Sequence, residues 1–369
     1  MNNDLSSFRD CICNSLRIEH CTDSLLISID SLLKSDNMDI VYNLIKEIRS
    51  SVDTLTNMTR DGKLDPTVYR LVGTGSFGEI YTVDELPNNV YKIPKSKDGD
   101  DNDLVFYQFM VEIFVGTMLW CSFQSLNIES RLRSIPFGES PYNPFVKTID
   151  FFFESYINDQ GVIDRLVPVI GMYRLDKSMC DIGSRMMSAT LFENIPGLHK
   201  DNMVIDVDNM SDDQYRKFLN AVYQTVVMIG YLQDSINFRH NDLHCGNVMV
   251  DNTNAKNIHF IDYGMSSFNL TQLGIDLTVS VPNRNYEKNV ITTKSQDVRM
   301  FMASVLPFLK DSIFKTRLIN LFNTYVDYIV IDENVPYFHN FYYKVQNIND
   351  FNFHPGVMIE LMNDTMLLD

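Results

Sequence analysis

The stretch of residues 104–123 constrains this chain most. It is twenty residues long and apolar except for Gln108, Glu112, Gly116, Thr117 and Ser122, which is long enough to cross a bilayer. Glu112 is its only charge and stands near its middle. In a membrane that carboxylate would cost about 3 kcal/mol on insertion scales. A helix buried inside the protein accounts for the segment better, because a carboxylate there can be paired. Left without a partner, it would be driven neutral. The fold must therefore bring a cation to Glu112. Lys92 is the candidate, lying between Tyr91 and Ile93 on an otherwise apolar strand-like run. Read alone, it is equally a lysine that reaches solvent from a sheet edge.

Upstream of Lys92 the pattern is one of short strands. Residues 72–78 read as a glycine-rich turn, 79–83 as an alternating strand, 86–89 as a turn and 90–93 as a further strand. The turn reads Gly73-Thr74-Gly75-Ser76-Phe77-Gly78, with Ile80 just beyond it. Glycines let a backbone approach a ligand closely, and its exposed N–H groups can hold phosphate oxygens. Taken alone, a plain hairpin turn explains the motif as well. In a dinucleotide-binding unit the third glycine would open a helix, and here a strand follows.

A second cluster lies far downstream. It reads His240-Asn241-Asp242-Leu243-His244-Cys245-Gly246-Asn247, and Ile261-Asp262-Tyr263-Gly264 follows it. Between them, residues 248–250 and 258–261 form two short apolar runs joined by the polar stretch 251–257. As a hairpin they return the chain so that Asp262 stands beside Asn247. An Asp/Asn-rich loop is by default a surface turn, but this one lies between apolar elements. Asp and Asn oxygens suit magnesium, and Asp242 can accept the proton of an attacking hydroxyl. The metal is needed because a phosphoryl group in transfer carries charge that must be neutralised. Glycine loop, Lys92, Glu112, Asp242, Asn247 and Asp262 occur in the order of a phosphoryl-transfer site.

The remainder supports an α+β organisation. Residues 1–64 read as a separate helical extension, with one stripe at Leu25, Leu26, Ile29, Leu32 and Leu33 and another at Ile40, Val41, Leu44, Ile45 and Ile48. Their simplest role is a helical pair packed on the main body; a docking role is the alternative. Residues 65–175 are strand-rich, with further strands expected at 145–153 and 166–173, and 98–103 reads as a solvated acidic loop. Residues 176–369 are mostly helical. Ser211 and Gln214 have capping-box spacing, and Tyr215, Phe218, Leu219, Val222, Tyr223, Val226 and Val227 follow at helical intervals. More helices are expected at 297–309, 312–330 and 356–367.

The apolar content of 45% fits a globular protein, and the net charge of −17 argues against a general nucleic-acid binder. That charge suits basic partners. Six cysteines without a Cys-x-x-Cys pair or zinc spacing favour a reduced, intracellular setting. The N-terminus lacks a signal-peptide pattern. Nothing in the sequence sets an oligomeric state.

These residues resemble the eukaryotic-type protein kinase superfamily over roughly residues 69–310. His240-Asn241-Asp242 looks like the catalytic-loop His-Arg-Asp, and Asp262-Tyr263-Gly264 like Asp-Phe-Gly. Asp297 resembles the aspartate that opens a buried helix and supports the catalytic loop. The resemblance implies a two-lobed fold and ATP as phosphoryl donor, held by residues 73–78 with Ile80, Val90 and Lys92. It also implies Phe77 over the phosphates, Lys92 and Glu112 paired, Asp242 as base, and magnesium on Asn247 and Asp262. The acceptor would be a serine or threonine of a protein, with basic substrates favoured by the charge.

Two departures matter. Asn241 stands where many kinases carry the arginine that receives a phosphorylated activation loop, which argues against a phosphorylation switch. His244 replaces the expected lysine and looks like haspin-type kinases, and also like aminoglycoside and choline phosphotransferases. No Ala-Pro-Glu follows Gly264, and Val281-Pro282-Asn283 is the nearest tripeptide. A small-molecule phosphotransferase, with residues 179–211 lining its acceptor pocket, and an inactive scaffold are the alternatives. Similar Asn-Asp-Leu-His loops occur in kinases of large DNA viruses, which implies a viral Ser/Thr kinase in the host cytoplasm or the virion. Cys245 reads as a spacer within the loop, lacking an adjacent cation to lower its pKa.

Overall fold

The computed structural model describes residues 2–15, 69–74, 78–83, 86–94, 102–125, 143–157, 163–173, 212–250, 258–273, 277–280, 294–323 and 353–366. They form a mixed, α+β fold. Strands β1 (Tyr69–Thr74), β2 (Gly78–Val83), β3 (Leu86–Pro94), β4 (Thr148–Ile157) and β5 (Ile163–Tyr173) make an antiparallel sheet in the order β1-β2-β3-β5-β4. Lys92, on the middle strand, pairs with Ile80 on one side and Ile170 on the other. It is therefore not an edge lysine. The β1–β2 register shifts between Leu71 and Gly73, a bulge that opens the glycine-rich segment.

Several strand boundaries differ from expectation: residues 72–74, read as part of the glycine-rich turn, end β1, and β5 begins at Ile163 rather than 166. Residues 86–89, read as a turn, belong to β3: Val83 pairs with Leu86 and Asn89 with Tyr173. Pairing at the two ends of this stretch, with β2 at Leu86 and with β5 at Asn89, draws the Pro and Asn between them into the strand. The strand expected from residue 145 begins at Thr148, because Phe145 forms an isolated parallel bridge with Phe260 instead.

Helix α2 (Asn102–Ser125) contains the whole 104–123 segment. Every residue from Val111 to Leu119 is buried. Strands β3, β4 and β5 pack on it, as does α1 (Asn2–Ser15), whose Phe8 and Ile12 enter the same core. Each such side chain contributes about 1.5–3 kcal/mol on burial. Among the described residues no helix is long and apolar enough to cross a membrane. The helical stripes expected between residues 25 and 48 lie outside the described residues.

The C-terminal region is built on α3 (Asp212–Ile236), α4 (Lys294–Val305), α5 (Ile313–Asn323) and α6 (Pro355–Met366). Asp212 and Asp213 favour the start of α3; Ser211 lies outside the described residues. Phe218, Val222, Val226, Ile229 and Leu232 form its buried face. At Gly230 the helix meets α6 so closely that a Cβ would stand 2.8 Å from Pro355 Cβ. Helix α4 starts three residues before Asp297 and ends at Val305, where Pro307 imposes a 3-10 turn over Leu306–Phe308. Two short ladders complete the described fold: β6 (Val248–Val250) with β7 (Ile258–Phe260), and β8 (Ser267–Asn269) with β9 (Thr278–Ser280). The first is the hairpin expected between Asn247 and Asp262. One continuous apolar core runs from α1 and α2 to α6.

Candidate functional site

Three segments far apart in sequence converge on one ammonium. Lys92 Nζ donates to Glu112 Oε1 at 2.8 Å and Oε2 at 2.6 Å, and to Asp262 Oδ1 at 3.3 Å. The Lys92 and Glu112 side chains are buried, whereas that of Asp262 is 41% accessible. Burial opposes the charge on Lys92, but the carboxylates of Asp262 and Glu112 outweigh it and hold its pKa above the ordinary value. Burial pushes the Glu112 carboxyl up to about 7 although Lys92 pulls it down. Asp262 goes the other way: Lys92, with His240 and His244 behind it, overcomes burial and keeps its pKa low. The two carboxylates on one lysine thus differ: burial holds the pKa of the inner one up, and the outer one is readily ionised.

Gly78 and Phe109 complete the housing of the lysine. A Cβ at position 78 would lie 3.1 Å from Ile93 O, 3.1 Å from the Phe109 ring and 3.3 Å from Lys92 Cε. The last glycine of the motif therefore makes room for protein, at the stem of the lysine. Phe109, one turn before Glu112 on α2, places its ring centroid 5.3 Å from Lys92 Nζ.

The loop 240–247 is held from below by α4. Asp297 accepts from the backbone N–H of His240 through Oδ2 and of Asn241 through Oδ1, both at 2.8 Å. Burial raises this carboxyl above the usual range, against His240 and the two amides. The His240 Nε2–H donates to Ile261 O at 2.8 Å, because a carbonyl can only accept. Asn241, at φ 63°, donates from Nδ2 to Met265 O at 2.8 Å. Asn247 Nδ2 donates to Asp242 O at 2.8 Å, and the Ile261 N–H reaches Asn247 O at 3.1 Å. Asn247 and Asp262 are thereby tied through adjoining backbone. His244 Nδ1 accepts from Gly246 N at 3.0 Å, which puts the proton of a neutral ring on Nε2. Burial lowers the His244 pKa, against the pull of Asp242 and Asp262. Cys245 is buried, with its N–H on Ser304 Oγ at 2.9 Å and its Sγ on Ser304 O at 3.6 Å. It fastens the loop to α4, as a spacer would.

The structure brings Lys92, Glu112 and Asp262 into contact and sets Asp242 and Asn247 on one loop beside them. Gly73, Thr74 and Gly78 lie on β1 and β2, and Ile80 and Val90 on β2 and β3 flanking the Lys92 position. Gly75, Ser76, Phe77, residues 179–211 and Val281-Pro282-Asn283 lie outside the described residues. Among the described residues no group of three or more His, Cys, Asp and Glu side chains is placed to hold a metal. Phe109, Gly116 and the Tyr263 hydroxyl were not among the sequence-derived candidates. Only the helical interval 109-112-116 hints at the first two. The chain matches no protein-family model, and no curated protein matches it.

Proposed function

We propose that this chain is an ATP-dependent protein kinase that transfers the γ-phosphate of MgATP to serine or threonine hydroxyls of proteins. The observation that carries the reading is one buried lysine shared by Glu112 and Asp262. An ion pair made only for stability would not need a second, solvent-accessible carboxylate. A lysine that must present its charge to phosphates, beside a carboxylate that must face a cation, accounts for both. In this reading the sheet with α2 is the smaller lobe, within residues 65–175, the helical region 176–369 is the larger, and residues 1–64 are an extension.

In this reading each residue takes one role. Lys92, oriented by Glu112, holds the α- and β-phosphates. Residues 73–78, Ile80 and Val90 enclose the nucleotide. Asp242 accepts the hydroxyl proton as the acceptor oxygen bonds to the γ-phosphorus and the bond to ADP breaks. Asp262 is ionised and accessible, and Asn247 commits its amide nitrogen to Asp242 O, which leaves its oxygen to face a cation. Two oxygen ligands fit magnesium, which keeps several waters and takes the rest from phosphates. The bound ion would neutralise charge on the transferred group. The net charge of −17 favours basic protein substrates.

His244 supports a second reading, a small-molecule phosphotransferase. It is an uncharged ring in the catalytic loop, fixed by Gly246, where a protein kinase carries a lysine. Both readings meet one test: labelled ATP and magnesium with the purified chain and its Asp242→Ala variant, offered basic proteins and small alcohols. The expected result is label on serine or threonine, reduced about 10²–10⁴-fold in the variant. Label on a small alcohol alone moves the assignment to the second reading. No transfer to any acceptor, or equal transfer by the variant, overturns the proposal.

A further inference from the structure

Tyr263 directly follows Asp262, and its ring lies against α2. A Cβ at position 116 would stand 2.9 Å from ring atom Cδ2 and 3.3 Å from Cε2, so glycine alone admits the ring this closely. Gly116 is one turn beyond Glu112 on the same face of the helix. The ring also meets Phe145 and His240 at centroid separations of 5.9 and 6.1 Å. These contacts would suit a phenylalanine equally well.

The hydroxyl is what a phenylalanine would lack. It accepts from the Val146 N–H at 3.2 Å and donates to the carbonyl of Phe260. Burial raises its pKa far above the ordinary value, so it stays a donor. Phe260 and Tyr263 bracket Asp262, whose φ of 64° lies in the left-handed region. A non-glycine residue persists there when its surroundings hold it. The hydroxyl closes that turn from one end to the other and fastens it to the segment bearing Val146.

We propose that the Tyr263 hydroxyl is a positioning group: it fixes the turn at Asp262 so that the carboxylate meets Lys92 and faces the nucleotide's magnesium before either binds. The inference rests on the phosphoryl-transfer reading above. It gives Gly116 a matching purpose, since the helix that orients Lys92 through Glu112 also supports the ring that orients Asp262.

Tyr263→Phe keeps the ring and removes the two hydrogen bonds. Partners at this remove from a metal typically change its affinity about 10–100-fold. The expected result is a rise of about that size in the magnesium concentration for half-maximal transfer, with kcat at saturating magnesium little changed. Two readouts are independent of turnover. Manganese binding with a non-hydrolysable ATP analogue, followed by electron paramagnetic resonance, should weaken in parallel. Amide exchange at Val146 should quicken in the nucleotide-free protein. Phe322→Leu is the control: Phe322 stacks on Phe353 at 4.7 Å in the α5–α6 core, so it should lower the melting temperature and leave the metal midpoint alone. Parental metal affinity in Tyr263→Phe, or the same shift in Phe322→Leu, overturns the proposal. If Tyr263→Phe fails to fold, Gly116→Ala carries the test, since alanine suits the helix but displaces the ring; an unshifted midpoint there also overturns it. A parent that transfers phosphate beside an unaltered Tyr263→Phe defeats this inference alone. A parent that neither binds manganese–nucleotide nor transfers phosphate defeats the kinase reading and this inference with it.

Discussion

Helices α2 and α3 are nearly equal in length, 24 and 25 residues, and meet opposite demands. Helix α3 is amphipathic: it buries Phe218, Val222 and Ile229 and leaves Asp212, Asp213, Arg216 and Lys217 to solvent. Its sequence announces which side faces in. Helix α2 has no solvent side over residues 111–119 and must be covered by elements from distant parts of the chain. A charge on α3 can be satisfied by water. The one charge on α2 must be satisfied by protein, and that need gathers Lys92 and, through it, Asp262. The apolar helix thus specifies more of the site than the amphipathic one.

The contrast can be broken most directly by truncating the buried face of α2. Phe114→Ala in α2, where the ring is fully enclosed, should destabilise the protein by about 3–5 kcal/mol in urea unfolding. A loss under about 1 kcal/mol would mean that α2 is less tightly covered than described. Lys92→Met should follow, removing about 3 kcal/mol of transition-state stabilisation, read as a drop of about 10²-fold or more in phosphoryl transfer. Full activity in that variant would detach the lysine from the chemistry.

Titration sharpens the comparison at smaller cost. Burial raises Glu112 from 4.5 to about 7, so between those values the folded chain holds a proton that the unfolded chain has shed. Its contribution to stability is complete below about pH 4.5 and is lost as pH rises through about 7. Relative to Glu112→Gln, the parent should therefore lose melting temperature between about pH 5 and pH 8. A constant difference across that range would reject the raised value. The smallest effect is expected on α3, where Lys217 pairs with exposed Asp213 at 2.7 Å. Lys217→Ala should leave the melting curve unchanged, and a clear drop would show that α3 depends on its exposed face after all.

Much of this was legible in the residues themselves. A lone carboxylate in an apolar run demands a cation, so Glu112 and Lys92 could be paired without coordinates. The 248–261 hairpin was readable because short-range pattern determines it; the hold of Asp297 on the loop, 57 positions from His240, was expected only from the resemblance. Other features were not, since each depends on a neighbour that sequence order does not name. A Cβ at Gly78 would meet Phe109 and the stem of Lys92, neighbours that the glycine motif does not name. Residues 86–89 carry turn-forming Pro and Asn, yet pairing of Leu86 with β2 and of Asn89 with β5 makes them strand. Tyr263 reads as a hydrophobic substitute until Val146 and Phe260 are seen at its hydroxyl. The docking of α1 on α2 joins residues about a hundred positions apart, as in the Ser15–Cys121 contact at 3.7 Å.

The hold of Asn241 on Met265 has a consequence for the solutions in which this protein can work. The tie runs from an uncharged amide to a carbonyl, from a residue type that tolerates a left-handed backbone. Mobile ions screen charge–charge attraction beyond about 8 Å at physiological ionic strength, but they leave a neutral hydrogen bond at 2.8 Å intact. This tie on the segment after Asp262 is therefore one that ionic screening does not weaken.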